Sequence, residues 1–193
     1  MTELRERLNK AKVFTKLDQR NSYHLVRMAE EDEEKTAFRT RFGLYHWRGM
    51  PFGLCNAPAT FQSMMDNMLH DLLDDGVIVY INDILVYSDD EKTNVKLVQE
   101  VLSGLDKAGL GVNLRKSSFH IKKVEFLGYI ISEQGMEMSA PKVEEVQNWA
   151  TLRKVKDVQE FLGFANFYRR LIKDFAKLAV PLTVLTKKDE PWI

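Results

Sequence analysis

Two apolar runs, Gly76-Val77-Ile78-Val79-Tyr80-Ile81 and Ile84-Leu85-Val86-Tyr87-Ser88, meet at the polar pair Asn82-Asp83. β-Branched and aromatic residues fill both arms, and Asn and Asp tolerate tight-turn backbones, so the pattern predicts a hairpin with Asn82-Asp83 at its tip. The chain on either side divides by period. Residues 2–11 carry Leu4 and Leu8 four apart and predict a short helix, residues 13–17 a strand that ends at Asp18, and residues 24–28 a second strand. The acidic run Glu30-Glu31-Asp32-Glu33-Glu34 reads as a solvated turn, and residues 35–42 and 44–47 as a hairpin turning at Gly43.

Helical spacing then takes over. Phe61, Met64, Met65, Met68, Leu69 and Leu72 form one apolar stripe behind Asn56 as N-cap and Pro58 in the first turn, and a Met-rich stripe of this kind is core. After the central hairpin, Ser88-Asp89-Asp90-Glu91 is a capping-box pattern opening a helix with Val95, Val98, Val101, Leu102 and Leu105 inward and Gly109 as its stop. Short strands at 112–114 and 118–121 lead to 124–131, one arm of a hairpin turning at Ser132-Glu133-Gln134-Gly135. Beyond Pro141 the pattern is helical, through Val143, Val146 and Trp149, then Val155, Val158, Phe161 and Leu162, then residues 167–172. The switch near residue 139 predicts two parts, 1–138 and 139–193, in an α+β chain with an antiparallel sheet backed by helices.

Composition narrows the chemistry only slightly. The chain has 193 residues, 45% of them hydrophobic, enough for a substantial core. Basic and acidic residues balance at 28 each, but residues 151–193 hold nine basic against five acidic, so the positive excess is C-terminal. Cys55 is the single cysteine, which excludes an intrachain disulfide and a cysteine-based zinc site. No apolar run reaches the length of a membrane span and the N-terminus is charged, so no membrane partner is expected.

Seven stretches in order carry a resemblance. They are Phe14-Thr15-Lys16-Leu17-Asp18, Tyr23-His24, Lys35-Thr36-Ala37-Phe38-Arg39-Thr40, Met50-Pro51-Phe52-Gly53-Leu54 with Asn56-Ala57-Pro58-Ala59-Thr60-Phe61-Gln62, the central hairpin, Val124-Glu125-Phe126-Leu127-Gly128, and Phe161-Leu162-Gly163 with Asn166-Phe167-Tyr168-Arg169-Arg170. Together they resemble the reverse transcriptase of gypsy-like long-terminal-repeat retrotransposons and their retroviral relatives. The resemblance implies a polymerase palm over 1–138, with a remnant of the fingers, and a small helical thumb over 139–193. It implies RNA-directed DNA synthesis, a nucleotidyl transfer with an RNA or DNA template, a DNA primer and deoxynucleoside triphosphates.

Such a transfer uses two Mg2+ ions (Mn2+ as a substitute) about 3.5–4 Å apart, held by hard oxygen ligands. The resemblance places Asp18 and Asp83 as metal ligands, with Asn82 in the position of a third, and Lys116 beside them near the pyrophosphate. It places Tyr23, Phe52, Gly53 and Gln62 at the incoming nucleotide, with the Tyr23 ring under the sugar. Phe126, Leu127 and Gly128 would grip the primer, and Lys154, Lys156, Tyr168, Arg169 and Arg170 would contact primer and template, the cations meeting phosphates.

The chain departs from that pattern at Asn82, where the family carries the first of two adjacent aspartates. Loss of one charge facing two divalent cations implies polymerisation weaker by at least roughly two orders of magnitude. The family's upstream fingers segment and downstream ribonuclease H region also lie beyond what these residues match. Three readings follow: an impaired polymerase, a silent module that binds primer and template, or a domesticated fold kept for protein contacts, with an uncovered palm surface favouring a homo-oligomer. Retroelement particles imply a cytoplasmic location, and a repurposed protein the nucleus.

Overall fold

The computed structural model describes residues 7–20 and 22–188. The expected helix at 2–11 lies mostly outside them, and its described end is a 3-10 turn, Leu8–Lys10. Strand β1 (Val13–Arg20) follows, then a 3-10 turn, Ser22–Leu25, and one helical turn, α1 (Glu30–Glu33). A small ribbon, β2 (Phe38–Thr40) and β3 (Gly43–Tyr45), precedes helix α2 (Ala57–Met68). The central hairpin is β4 (Val77–Tyr80) and β5 (Asp83–Ser88), succeeded by α3 (Glu91–Lys107), β6 (Gly111–Val112) and β7 (Ser118–Ile121). Strands β8 (Lys123–Phe126), β9 (Tyr129–Ser132) and β10 (Gly135–Met138) lead to α4 (Ala140–Gln147), α5 (Val155–Phe167) and α6 (Phe175–Val184).

The main sheet has the order β4-β5-β1-β6 with β7 also on β1, and every described pairing of its strands is antiparallel. β1 is its centre. One face, with Leu17, Ile84 and Val86, packs into a core with Phe61, Met65 and Leu69 of the α2 region and Val98, Val101 and Leu105 of α3. The apolar stripes of those helices are thus spent on the sheet, as their spacing predicts, although Val95 stays 36% exposed. At the head of α3, Asp90 accepts a hydrogen bond from the Thr93 N–H at 2.9 Å. A polar knot ties the start of the same helix to β1 and β7: Thr15 donates to Asn94 Oδ1 at 2.7 Å, Asn94 Nδ2 donates to the Val13 carbonyl at 3.3 Å, and His120 Nδ1 lies 3.0 Å from the same Oδ1.

The chain divides into two compact units, one reaching Phe126 and including Ile131–Gly135, the other made of Leu127–Ile130 and the residues from Met136 onward. In the second, Trp149 packs against Phe161 and Phe164, and Tyr129 against Phe167 and Tyr168. Among the described residues no helix is long and apolar enough to cross a membrane.

Several local expectations are corrected. β1 runs two residues past Asp18, because β6 pairs with Gln19 and Arg20. Residues 24–28 form no strand: Ser22–Leu25 is a 3-10 turn that stacks Tyr23 between Phe52 and Phe61, and only an isolated bridge joins Arg27 to Gly49. The acidic run is a helical turn with none of its residues buried, and the small ribbon turns at Arg41-Phe42, since Thr40 pairs with Gly43. The run 124–131 breaks into β8 and β9 at Leu127-Gly128, where both φ angles are positive, +51° and +77°. Helix α5 stops at Phe167, so residues 168–172 are turns.

Candidate active site

Asp18 on β1 and Asp83 on β5 are direct cross-strand partners. Residues opposite one another in an antiparallel pair project from the same face with Cβ atoms about 4.5–5.5 Å apart, so the two carboxylates are neighbours on the face turned away from the helices. Tyr80 is opposite Asp83 on β4 and extends this row across three strands. Phe14 and Leu85 bury the other end of the same face, whereas Asp18 and Asp83 stay partly exposed. Lys16, two residues back on that face, brings its Nζ to 3.5 Å from Asp83 Oδ1, both side chains about a quarter exposed. Among the described residues no cluster of three or more His, Cys, Asp or Glu is arranged for a metal, so the acidic centre consists of two carboxylates with Asn82 in the adjoining turn.

The backbone around Asp18 is fixed from three directions. Its N–H donates to Ser117 Oγ at 3.1 Å and its carbonyl accepts from the Asn113 N–H at 2.8 Å. The Gln19 N–H donates to the Asn82 carbonyl at 3.1 Å, which ties the turn to β1. Lys116 belongs to the same 113–117 loop and is exposed beside it, its own N–H donating to the Asn113 carbonyl at 3.1 Å.

The turn itself differs from the expectation. Tyr80 pairs with Asp83, so the two loop residues are Ile81 and Asn82, and Asp83 opens β5. Ile81 has φ +54°. A β-branched residue there is strained by about 1–3 kcal/mol, since that position of a two-residue loop favours glycine. Gln62 of α2 compensates: its Oε1 accepts the Ile81 N–H at 2.7 Å, and its Nε2 donates to the Val79 carbonyl at 3.2 Å and to Asp66 Oδ1 at 2.7 Å. The Gln62 amide is therefore engaged with the hairpin.

An aromatic platform flanks these residues. Tyr23 stacks on Phe61 at 4.9 Å and on Phe52 at 5.1 Å. Phe61 is buried, Phe52 is 70% exposed, and Gly53 (φ +98°) faces open space, so the platform grades from core to solvent. Burial foremost, with Tyr80 second, raises the Tyr23 phenol above its ordinary range and keeps it neutral.

In the second unit, Gly128 is sterically required. A Cβ there would lie 2.5 Å from Tyr168 Oη. Tyr168 is only 3% exposed, packed among Tyr129, Phe164 and Phe167, which corrects its expected place on a nucleic-acid surface. Burial raises the Tyr129 phenol to about 12, and its hydroxyl donates to the Phe167 carbonyl at 2.8 Å. Lys154 lies 3.8 Å from Asp157 and Lys156 4.0 Å from Glu160, so acids of their own helix partly neutralise both, while Arg169 and Arg170 are exposed. Leu127 is half-buried in the turn, and Phe126 is fully buried in the first unit. Sequence reasoning overlooked Lys16, Asp66, Tyr80, Asn113 and Ser117. Lys16 and Tyr80 could have been found from strand alternation once Asp18 and Asp83 were paired.

The family profile described as reverse transcriptase (RNA-dependent DNA polymerase) matches residues 2–131. The chain is 44% identical over 93% of its length to the retrovirus-related Pol polyprotein from transposon opus of Drosophila melanogaster, and 37% identical over 98% to the transposon Tf2-3 polyprotein of Schizosaccharomyces pombe. It spans 18% and 14% of those polyproteins. The foamy viral protease-reverse transcriptase solved with double-stranded DNA superposes with TM-score 0.85 at 26% identity, over 99% of this chain and 34% of that one. The foamy viral enzyme solved with an RNA/DNA hybrid gives 0.79 at 25%, over 97% and 26%. With its paired carboxylates on adjacent strands of an antiparallel sheet, this chain belongs to the reverse transcriptase family, of the retrotransposon and retroviral type.

Proposed function

We propose that this chain is the polymerase core of a retrotransposon reverse transcriptase, templated on nucleic acid and impaired as it stands by Asn82. The observation that carries the reading is the register pairing of Asp18 with Asp83 beside the turn that bears Asn82. The residues up to 138 act as palm and those from 139 as thumb. The donor set suits Mg2+, which binds through one or two carboxylates together with substrate phosphates: Asp18 and Asp83 offer hard anionic oxygens and Asn82 a neutral carbonyl. Bound there, magnesium supplies Lewis acidity to the primer hydroxyl and the departing pyrophosphate.

The chain's own residues orient and exclude. Phe52, exposed on the platform, offers a ring face for a base or a sugar, and Tyr23, its faces covered by Phe52 and Phe61, leaves only its ring edge to bar a 2′-hydroxyl. Open space at Gly53 lets a substrate approach the backbone, and Lys116 stands ready near the phosphates. Arg169 and Arg170 offer exposed cations to a duplex backbone. The foamy viral relatives were solved with double-stranded DNA and with an RNA/DNA hybrid, which supports a primer and template as partners here.

A second reading, a silent module that only binds primer and template, draws on Lys16, whose ammonium competes for Asp83 at 3.5 Å while Asn82 adds no charge. Primer extension on an RNA template with Mg2+ tests both, comparing the chain with its Asn82→Asp variant. Extension by the variant at least roughly a hundredfold faster supports the polymerase reading. Equal extension refutes the role given to position 82. Silence of both, with salt-dependent hybrid binding retained, favours the second reading.

A further inference from the structure

The turn that presents Asn82 and Asp83 is held in a disfavoured backbone state by a side chain with no intrinsic orientation. The oxygen and nitrogen of a glutamine amide are nearly equal in size, so Gln62 fits its space either way round, but only one orientation can accept the Ile81 N–H. Asp66 follows one helical turn later on α2, where residues four apart are neighbours. Its Oδ1 lies 2.7 Å from Gln62 Nε2, and the Val79 carbonyl lies 3.2 Å from the same nitrogen. Both partners only accept hydrogen bonds, so both call for the NH2 group. The carbonyl oxygen is left for Ile81, at 2.7 Å. Among the described residues Asp66 forms no ion pair that would divert its carboxylate.

We infer that Asp66 is a positioning residue: its charge, reinforcing the longer bond to the Val79 carbonyl, selects the amide orientation of Gln62 and so holds Ile81 at φ +54°, fixing the direction in which Asn82 and Asp83 leave the turn. The bearing on polymerisation rests on the function proposed above; the orientation device does not. Asn at position 66 has nearly the same shape but no charge, and it can present NH2 as readily as oxygen, so only the Val79 carbonyl at 3.2 Å is left to hold Gln62 against turning over. Glu keeps an acceptor-only group with one more bond of reach.

Amide hydrogen exchange by NMR on the full chain tests this. Asp66→Asn is expected to lower protection at Ile81 about tenfold or more, the worth of a charge-assisted hydrogen bond, with Val98 and Leu105 unchanged. Asp66→Glu is expected to restore most of the Ile81 protection. Unchanged protection at Ile81 in Asp66→Asn, or a loss spread evenly over α3, would overturn the assignment. The exchange result decides this device without a polymerase assay. Failure of the Asn82→Asp chain to extend a primer counts against the functional reading alone.

Discussion

Replacing Gly128 by alanine should be among the most damaging single-methyl changes in the second unit, for two separable reasons. At φ +77° an L side chain costs about 1–2 kcal/mol. The new Cβ would also stand 2.5 Å from Tyr168 Oη, most of an ångström inside ordinary contact. Tyr168 cannot swing clear, since it is 3% exposed with Tyr129, Phe164 and Phe167 around it. Overpacking of this kind costs about 1–3 kcal/mol, which gives a total of roughly 2–5 kcal/mol. For a chain of this length that lowers Tm by about 4–20 °C. Urea denaturation followed by circular dichroism measures it, and a double-mutant cycle with Tyr168→Phe divides it. Removing the hydroxyl should recover the steric part, a coupling of about 1–3 kcal/mol, and leave the backbone part in place. A cost below about 0.5 kcal/mol, or zero coupling to Tyr168→Phe, would refute the reasoning.

Asn94→Ala removes the acceptor of the Thr15 hydroxyl, the donor to the Val13 carbonyl and the partner of the His120 ring together, and should cost about 2–4 kcal/mol, read as a lowered urea midpoint. Bonding to the Thr93 hydroxyl and N–H holds the Asp90 carboxyl below the usual carboxylate range. Its contribution to α3 is therefore complete above that range and disappears as pH falls through the lowered value; Asp90→Asn should flatten that acid limb in a circular-dichroism titration. Lys16→Met removes the ammonium from Asp83 and should tighten Mn2+ binding a few-fold, about 1 kcal/mol for a partly exposed pair, as read by electron paramagnetic resonance; unchanged affinity would show that Lys16 does not compete.

The elements with strong period were legible from the residues alone: the arms of the central hairpin, the apolar stripes of α2 and α3, and the antiparallel β character of the first part. What escaped was decided over long range. Ile81 takes a backbone state that its own chemistry disfavours because Gln62, nineteen positions away, holds its N–H. Local propensity therefore placed the turn one residue late. Leu127-Gly128 was hidden inside an apolar run, and only the positive φ of both residues separates β8 from β9. Tyr168, which the resemblance set among cations contacting primer and template, is core, and Gly128 leaves room for its hydroxyl. Of the candidate acids, strand logic placed Asp18 at a strand end and the resemblance set it with Asp83; the register adds that the two are direct cross-strand partners.

The position of β1 at the middle of its sheet also sets a schedule for the ribosome. Phe14 and Leu17 are wholly buried in the finished protein, yet their strand is synthesised before every strand that pairs with it. Its neighbours arrive late: Leu17 pairs with Ile84, and Thr15 takes a hydrogen bond from His120, 105 residues downstream. At about 5–20 residues per second, the nascent strand waits roughly 5–20 seconds for that last partner, with both its edges open. During that interval its apolar residues and unpaired edges are open to aggregation, and slower elongation across residues 20–120 would lengthen that exposure.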